Sequence, residues 1–417
     1  MHKKYTPCVT QFVLNKLNFI LLYKHNLPSN FTLLFHLPIK FNNQPNVIMR
    51  FYPKIFILLL LILPLSLFAQ LRKYSNEFLN IGAGARGLAM GGAQIASAKD
   101  ATASYWNPAG LTGIKEKANV GLMHAEYFGG IAKYDYLGAA MPIQDNKRAL
   151  GISILRFAVD DIPNTLFLVE PDGRVNYENI QTFSTADYAF LLSFAQKIKE
   201  TEKTNISFGL NAKVIYRKVG KFASAWGFGL DAGLQAHGKK WHLGIVARDV
   251  TTTFNAWSFK FTEKEKEILY LTKNDIPVKS TELTAPRLII GGGYNFKLGK
   301  SLNLMAEANL DVTFDGKRNT VYSGNTISID PHIGLEASIK DVFFIRAGIA
   351  NFQKGTQDGD TTNKKKVWIY QPSAGAGFKI KNIMIDYAFT NLANQSNPLY
   401  THIFSLRFNI TGKKEIE

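Results

Sequence analysis

"LNLMAEANLDVTF", running from Leu302 to Phe314, decides the fold by its parity. Leu302, Leu304, Ala306, Ala308, Leu310, Val312 and Phe314 fall on one parity, and Asn303, Glu307, Asn309, Asp311 and Thr313 on the other. Successive residues of a strand point to opposite faces, so the stretch reads as a strand with one apolar and one polar face. "ISFGLNAKVIY" repeats the pattern, with Ile206, Phe208, Leu210, Ala212, Val214 and Tyr216 opposing Ser207, Gly209, Asn211 and Lys213. So does "AWGFGLDAGLQAH", where Trp226, Phe228, Leu230, Ala232 and Leu234 oppose Gly227, Gly229, Asp231, Gly233 and Gln235. Near the end, Ile383, Ile385, Tyr387 and Phe389 oppose Asp386 and Thr390, and Phe404, Leu406 and Phe408 oppose Ser405, Arg407 and Asn409. Strands of roughly ten or more residues suit an outer-membrane barrel, whereas those of a soluble β-sandwich, which also alternate, average about five or six.

The connections sharpen that choice. Fourteen candidate strands begin near Asn119, Lys133, Arg148, Thr185, Asn205, Ser224, Lys240, Arg287, Leu302, Ser328, Val342, Lys366, Asn382 and Thr401. Links after the even-numbered strands are short, while several after the odd-numbered ones are long: Pro163 to Ser184, Asn255 to Pro286, Asp315 to Ile327 and Gly355 to Lys365. Outer-membrane barrels have even strand numbers, short periplasmic turns and longer outside loops. The 30 Phe and 17 Tyr suit aromatic girdles at the two interfaces. No helical period and no long apolar run follows Ala69, and only helices or closed barrels satisfy every backbone group in lipid. The expectation is an all-β, fourteen-stranded antiparallel transmembrane β-barrel over 118–411, with both termini periplasmic and a short periplasmic tail over 412–417.

Upstream, "MRFYPKIFILLLLILPLSLFAQ" has the positive start, short apolar core and small-residue exit of a secretory signal peptide over 49–69. Residues 1–48 read as an extension or a start-site overcall before Met49. Residues 1–69 carry seven Lys or Arg and no Asp or Glu, so much of the chain's +17 charge departs with the leader. The remaining basic residues are scattered, and nucleic-acid binding needs a concentrated patch. The only cysteine, Cys8, also lies in the leader, which removes disulfides and thiolate chemistry from the mature chain.

"FLNIGAGARGLAMGG", Phe78 to Gly92, carries Gly82-x-Gly84-x-x-Gly87, the letter pattern of a dinucleotide loop. That chemistry needs a preceding strand, a following helix and a βαβ unit. Here the motif follows an export signal, adds Gly91 and Gly92 where a helix should run, and leads into the barrel. The glycines fit close backbone packing instead, and no cofactor is expected. His124, His237, His242, His332 and His402 are dispersed without a zinc spacing, and the loop with Asp358 and Asp360 lacks the full calcium-ligand pattern. No G-x-S-x-G elbow is present, so no enzyme is expected.

The stretch "GARGLAMGGAQIASAKDATASYWNPAGL", Gly84 to Leu111, resembles the N-terminal signature of the PorV/PorQ family of Bacteroidetes, itself similar to FadL-type barrels. FadL-type barrels carry an N-terminal hatch with an Asn-Pro-Ala box, which Asn107-Pro108-Ala109 matches. The resemblance implies a plug or hatch segment over 70–117, with Gly82, Gly84, Arg86, Gly87, Gly91, Gly92, Asn107, Pro108 and Ala109 as its motif residues. It further implies a monomeric barrel within a larger type IX secretion complex. Its implied partners are the translocon, surface attachment proteins, cargo C-terminal signal domains and outer-membrane lipid. The alternative is a FadL-like channel for hydrophobic small molecules. Physically, Pro108 biases Asn107 towards extended backbone, and the Asn side chain is suited to locking a turn. "EKEKEI", Glu263 to Ile268, reads as a short amphipathic helix in the longest connection and as a partner contact.

Overall fold

A computed structural model of the protein describes residues 70–71, 74–170, 172–356, 366–390 and 400–411. The expected extension, the signal peptide, Cys8, Asp358, Asp360 and the tail over 412–417 lie outside the described residues. A short strand, β1 (Gln70–Leu71), precedes the first long strands, β2 (Ala118–Tyr127), β3 (Ala132–Ile143), β4 (Arg148–Asn164), β5 (Gln181–Glu200), β6 (Asn205–Val219) and β7 (Ala223–His237). Then come β8 (Trp241–Arg248), β9 (Thr253–Phe259), β10 (Ser280–Thr284), β11 (Arg287–Leu298), β12 (Leu302–Thr313) and the two-residue β13 (Tyr322–Ser323). The wall finishes with β14 (Ser328–Ile339), β15 (Phe343–Thr356), β16 (Lys366–Ile380), β17 (Ile383–Thr390) and β18 (Thr401–Ile410).

Each long strand pairs antiparallel with the next, and β18 returns to β2 with Phe404 opposite His124, closing the sheet. The closed wall has fourteen strands, with β8/β9 and β10/β11 each forming one interrupted strand. The interruption departs from the expectation of one unbroken strand running from Lys240 to Asn255. Asp249 and Thr252 adopt left-handed backbone conformations, φ 55° and 58°, which end β8 before β9 resumes along β7. The connection expected from Asn255 to Pro286 therefore contributes wall strand as well as loop. It holds α3 (Glu263–Leu271), whose first turn is closed by a capping box between Thr262 and Glu265.

The faces of the wall are inverted relative to a soluble protein. Leu210, Leu310 and Ile345 point outward and are 43%, 45% and 60% exposed, while inward-facing Asn211 and Glu307 are each 2% exposed. So large and continuous an apolar exterior is stable only against lipid. Tyr188, Tyr216 and Trp226 stand side by side on it, their ring centroids 6.3 and 4.6 Å apart, as in an aromatic girdle.

The N-terminal segment before β2 occupies the interior. It contains α1 (Ala85–Ala89), α2 (Ala103–Trp106) and a 3-10 turn over Pro108–Gly113. The turn rests on β3 to β7, and α1 on β15 to β18 across the ring. Its small and apolar residues, among them Ala83, Ala89, Ile95, Ala98 and Leu111, are essentially inaccessible and supply the core that the wall lacks. The segment enters at the end with long connections, where the Asn76 amide donates to Thr284 at 2.8 Å and accepts from Asn255 at 2.9 Å. It leaves at the short-turn end, where β2 starts beside Ile410 of β18. Ile410 thus lies at the short-turn end and Tyr74 to Asn80 at the opposite rim.

Candidate functional site in the lumen

The glycines come first because backbone conformation decides what the segment can touch. Gly82 and Gly84 have φ of 121° and 83°, values a side chain resists, and they set the chain into α1. The first backbone N–H groups of that helix are met by the wall: Gly84 donates to Met123 Sδ at 3.1 Å and Ala85 to Ser405 Oγ at 3.1 Å. A 3-10 helix over Glu77–Asn80, and not a strand, precedes the motif. A Cβ at Gly87 would lie 2.6 Å from the Trp106 ring, so a side chain fills the space a pyrophosphate would need. Gly91 packs its backbone against that of Ile349 in β15, with its carbonyl 2.6 Å from His332 Nδ1; the Gly92 carbonyl accepts from Asn309 at 3.1 Å.

Arg86 is the charged centre of this end of the lumen. Its guanidinium grips Glu336 of β14 with both arms, Nε to Oε2 at 2.8 Å and Nη2 to Oε1 at 3.0 Å. The same carboxylate accepts from Arg346 Nε at 2.6 Å, and Arg346 Nη1 donates to Asp386 at 2.7 Å. Fork-to-carboxylate pairing fixes geometry as well as charge. Nearby, Arg407 of β18 pairs with Asp100, and the backbone N–H of Ala96 donates to Glu307 at 2.7 Å.

Asn107 works as a clamp. It is extended, φ −155° and ψ 107°, as expected before proline, with Pro108 opening the 3-10 turn. Its Oδ1 accepts from the Ala109 N–H at 3.2 Å, while Nδ2 donates to the Ile95 carbonyl at 3.1 Å and to Leu234 of β7 at 3.0 Å. One side chain thus ties the turn to itself, to the preceding segment and to the wall. Gly233 faces it at an inward position where a Cβ would strike Asn107, and Gly209 does the same for Ala109. Trp106 and Tyr105 pack inside, donating to the carbonyls of Ala83 at 2.7 Å and Leu79 at 2.6 Å.

A second ionic cluster, which sequence reading did not assemble, lies towards the long-connection end. Lys213 sits between Asp231 at 2.7 Å and Asp249 at 2.6 Å, and all three are shielded from solvent. Arg248 donates to the Tyr105 carbonyl at 3.2 Å and covers its ring at 4.6 Å. The available signal was parity, since Lys213 and Asp231 both lie on the polar face of their strands. A small cavity of about 50 Å³ remains here, lined by these groups, Arg287 and Arg318. At the short-turn end a larger cavity of about 470 Å³ opens beneath the Arg86 network. His237 and His242 meet beside it, Nδ1 to Nδ1 at 2.9 Å, yet among the described residues no group of three or more His, Cys, Asp or Glu could hold a metal.

A closed antiparallel barrel with an apolar exterior and a polar lumen packed with its own N-terminal segment is a barrel of the outer-membrane class. Residues 72–209, from the N-terminal segment into β6, match the family described as "Type IX secretion system protein PorV". Over those residues, about a third of the chain, it is similar to that family, and the wall around them is a closed fourteen-stranded barrel. No curated protein sequence matches it. Among solved structures it is similar to the Ralstonia pickettii toluene transporter TbuX, at 13% identity and a TM-score of 0.49 over 79% of this chain and 98% of that one. It is also similar to the Pseudomonas putida toluene transporter TodX, at 11% identity and 0.49 over the same shares. A Pseudomonas aeruginosa FadL homologue matches at 13% identity and 0.41, over 78% of this chain and 98% of that one.

Proposed function

We propose that the protein serves type IX secretion by binding the translocon, cargo C-terminal signal domains or both, and by passing cargo to the surface attachment machinery. The observation that carries this reading is the family match over residues 72–209, because it includes the segment buried in the lumen. Residues 70–117 act as a plug, locked by the Arg86 fork and the Asn107 clamp. With the lumen occupied, the protein works through contacts at its loops and wall, with no catalytic step. The short turns face the periplasm and the long connections the outside. There α3, with Tyr270 and Leu271 largely exposed, offers an apolar contact to a partner protein.

A strain lacking the protein is expected to accumulate cargo in the periplasm, read by immunoblot of cell fractions; undiminished secretion sinks the reading. The alternative, a channel for hydrophobic small molecules, receives less support. It needs an apolar passage through the lumen; a pocket of about 80 Å³ has Ile81, Leu88, Ile95, Trp106 and Ile289 in its lining, but the cavity at the short-turn end is lined mainly by charged and polar side chains.

A further inference from the structure

The cavity of about 470 Å³ at the short-turn end has a floor and a rim of different character. At the floor, charges are matched at short range: Arg86 and Arg346 with Glu336, and Arg407 with Asp100. At the rim they are not. Lys99 from the N-terminal segment, Lys239 and Lys240 from the β7–β8 turn, and Lys297 near the end of β11 line the same space. Among the described residues none of these four lysines has a carboxylate within ion-pair distance. The remaining carboxylate of the lining, Asp341, accepts from the Ser338 hydroxyl at 3.3 Å.

A second observation comes from the floor. Arg346 is buried, and while its Nε and Nη1 are taken by Glu336 and Asp386, its Nη2 has no hydrogen-bond partner among the described residues. A buried donor left unmatched costs free energy, so such a group marks a place where an acceptor is missing. The cavity therefore combines a floor whose buried guanidinium keeps one nitrogen beyond its ion pairs with four uncompensated ammonium groups around its opening.

The spread of the lysines decides what kind of anion fits. A compact phosphate is usually met by donors converging on one point, often a guanidinium fork or successive backbone N–H groups. Here the lysines come from the N-terminal segment, a turn and the end of a strand, and Lys supplies mobile point charges rather than a fixed fork. That arrangement suits carboxylates strung along a chain.

We propose that this cavity binds an acidic peptide segment of a partner protein, with its carboxylates at the four rim lysines. The proposal deepens the secretion reading by naming the chemistry of one partner contact, and it rests on that reading for the partner's setting. Its test is independent of secretion, so either can fail alone.

The full barrel in detergent micelles is titrated against a short fluorescent Glu-rich peptide and binding is read by anisotropy. Saturable binding is expected at low salt, weakening as salt is raised because exposed charges are screened beyond about 10 Å at 0.1 M. Reversing Lys239, Lys240 and Lys297 together to Glu is expected to weaken binding by about tenfold or more. Lys297→Gln alone gives a smaller loss in the same direction. Lys203→Glu, on another short turn at the same end but outside the cavity, leaves the affinity unchanged. Folding of each variant is checked by its heat-dependent gel mobility. Absence of saturable binding by the unaltered barrel overturns the proposal, as does a triple variant that folds and binds equally well. Tighter binding of inorganic pyrophosphate than of the peptide also overturns it and reassigns the cavity to phosphate.

Discussion

The two faces of the same strands solve opposite problems. On the outer face, Leu210, Leu310 and Ile345 meet a fluid apolar solvent, and what is required of each is bulk and apolarity. On the inner face their neighbours have assigned partners: Asn211 donates to the Ser104 carbonyl at 2.7 Å, Asn309 to the Gly92 carbonyl at 3.1 Å, and Arg346 holds Glu336 and Asp386. In a soluble protein the apolar core specifies the structure and the polar surface is permissive. In this barrel the polar interior carries the specification, because a buried polar group without its partner is costly whereas one lipid-facing methyl is much like another.

The largest expected effect lies where wall and segment touch through backbone. Gly348 of β15 faces Met90 and Gly91 so closely that any side chain would collide with their main chain. Gly348→Val is expected to expel α1 from the lumen, giving loss of the heat-resistant folded band and rapid proteolysis before β2. Normal protease resistance in that variant would mean the interior is as permissive as the exterior. Next comes Glu336→Gln, which leaves Arg86 and Arg346 sharing a neutral side chain. Removing one partner of a buried ion pair costs about 3–5 kcal/mol, measurable as a lowered urea midpoint in micelles. Asn107→Ala removes three hydrogen bonds inside the lumen; at about 1 kcal/mol for each, with its partners left unsatisfied, the loss is about 2–4 kcal/mol.

The outer face was legible wherever strands alternate cleanly, since lipid favours apolar side chains there regardless of what lies across the ring; the ion-paired His124, Asp135 and Arg156 on the outer face of β2 to β4 break that parity. Strand number and the asymmetry of connections followed from the same pattern. The inner face was legible only as composition. Lys213 could be read as inward-facing, but its pairing with both Asp231 and Asp249 depends on the break after β8, and no glycine or proline marks that break. The direction in which the N-terminal segment crosses the lumen was likewise hidden, because its length does not say at which rim it starts. One signal was present and unused: Gly209, Gly233, Gly244 and Gly348 all fall on inward parity in long strands, and each marks a place where the segment's backbone or Asn107 comes too close for a side chain.

The smallest effects make the cleanest use of the comparison, because they come from residues adjacent in sequence. Asn309 and Leu310 share β12; the first donates to the Gly92 carbonyl at 3.1 Å inside the barrel and the second is 45% exposed outside it. Asn309→Leu removes the donor and leaves that carbonyl without it, for an expected loss of about 1–3 kcal/mol. Leu310→Ile exchanges one apolar side chain for another of equal volume against lipid, with a strand-favouring branch at Cβ, and is expected to shift stability by under about 0.5 kcal/mol. Urea titrations of the two variants in one lipid compare the faces with strand, register and depth held nearly constant. Equal losses would show that packing against lipid is as selective as the lumen, and the division of labour between the faces would have to be abandoned.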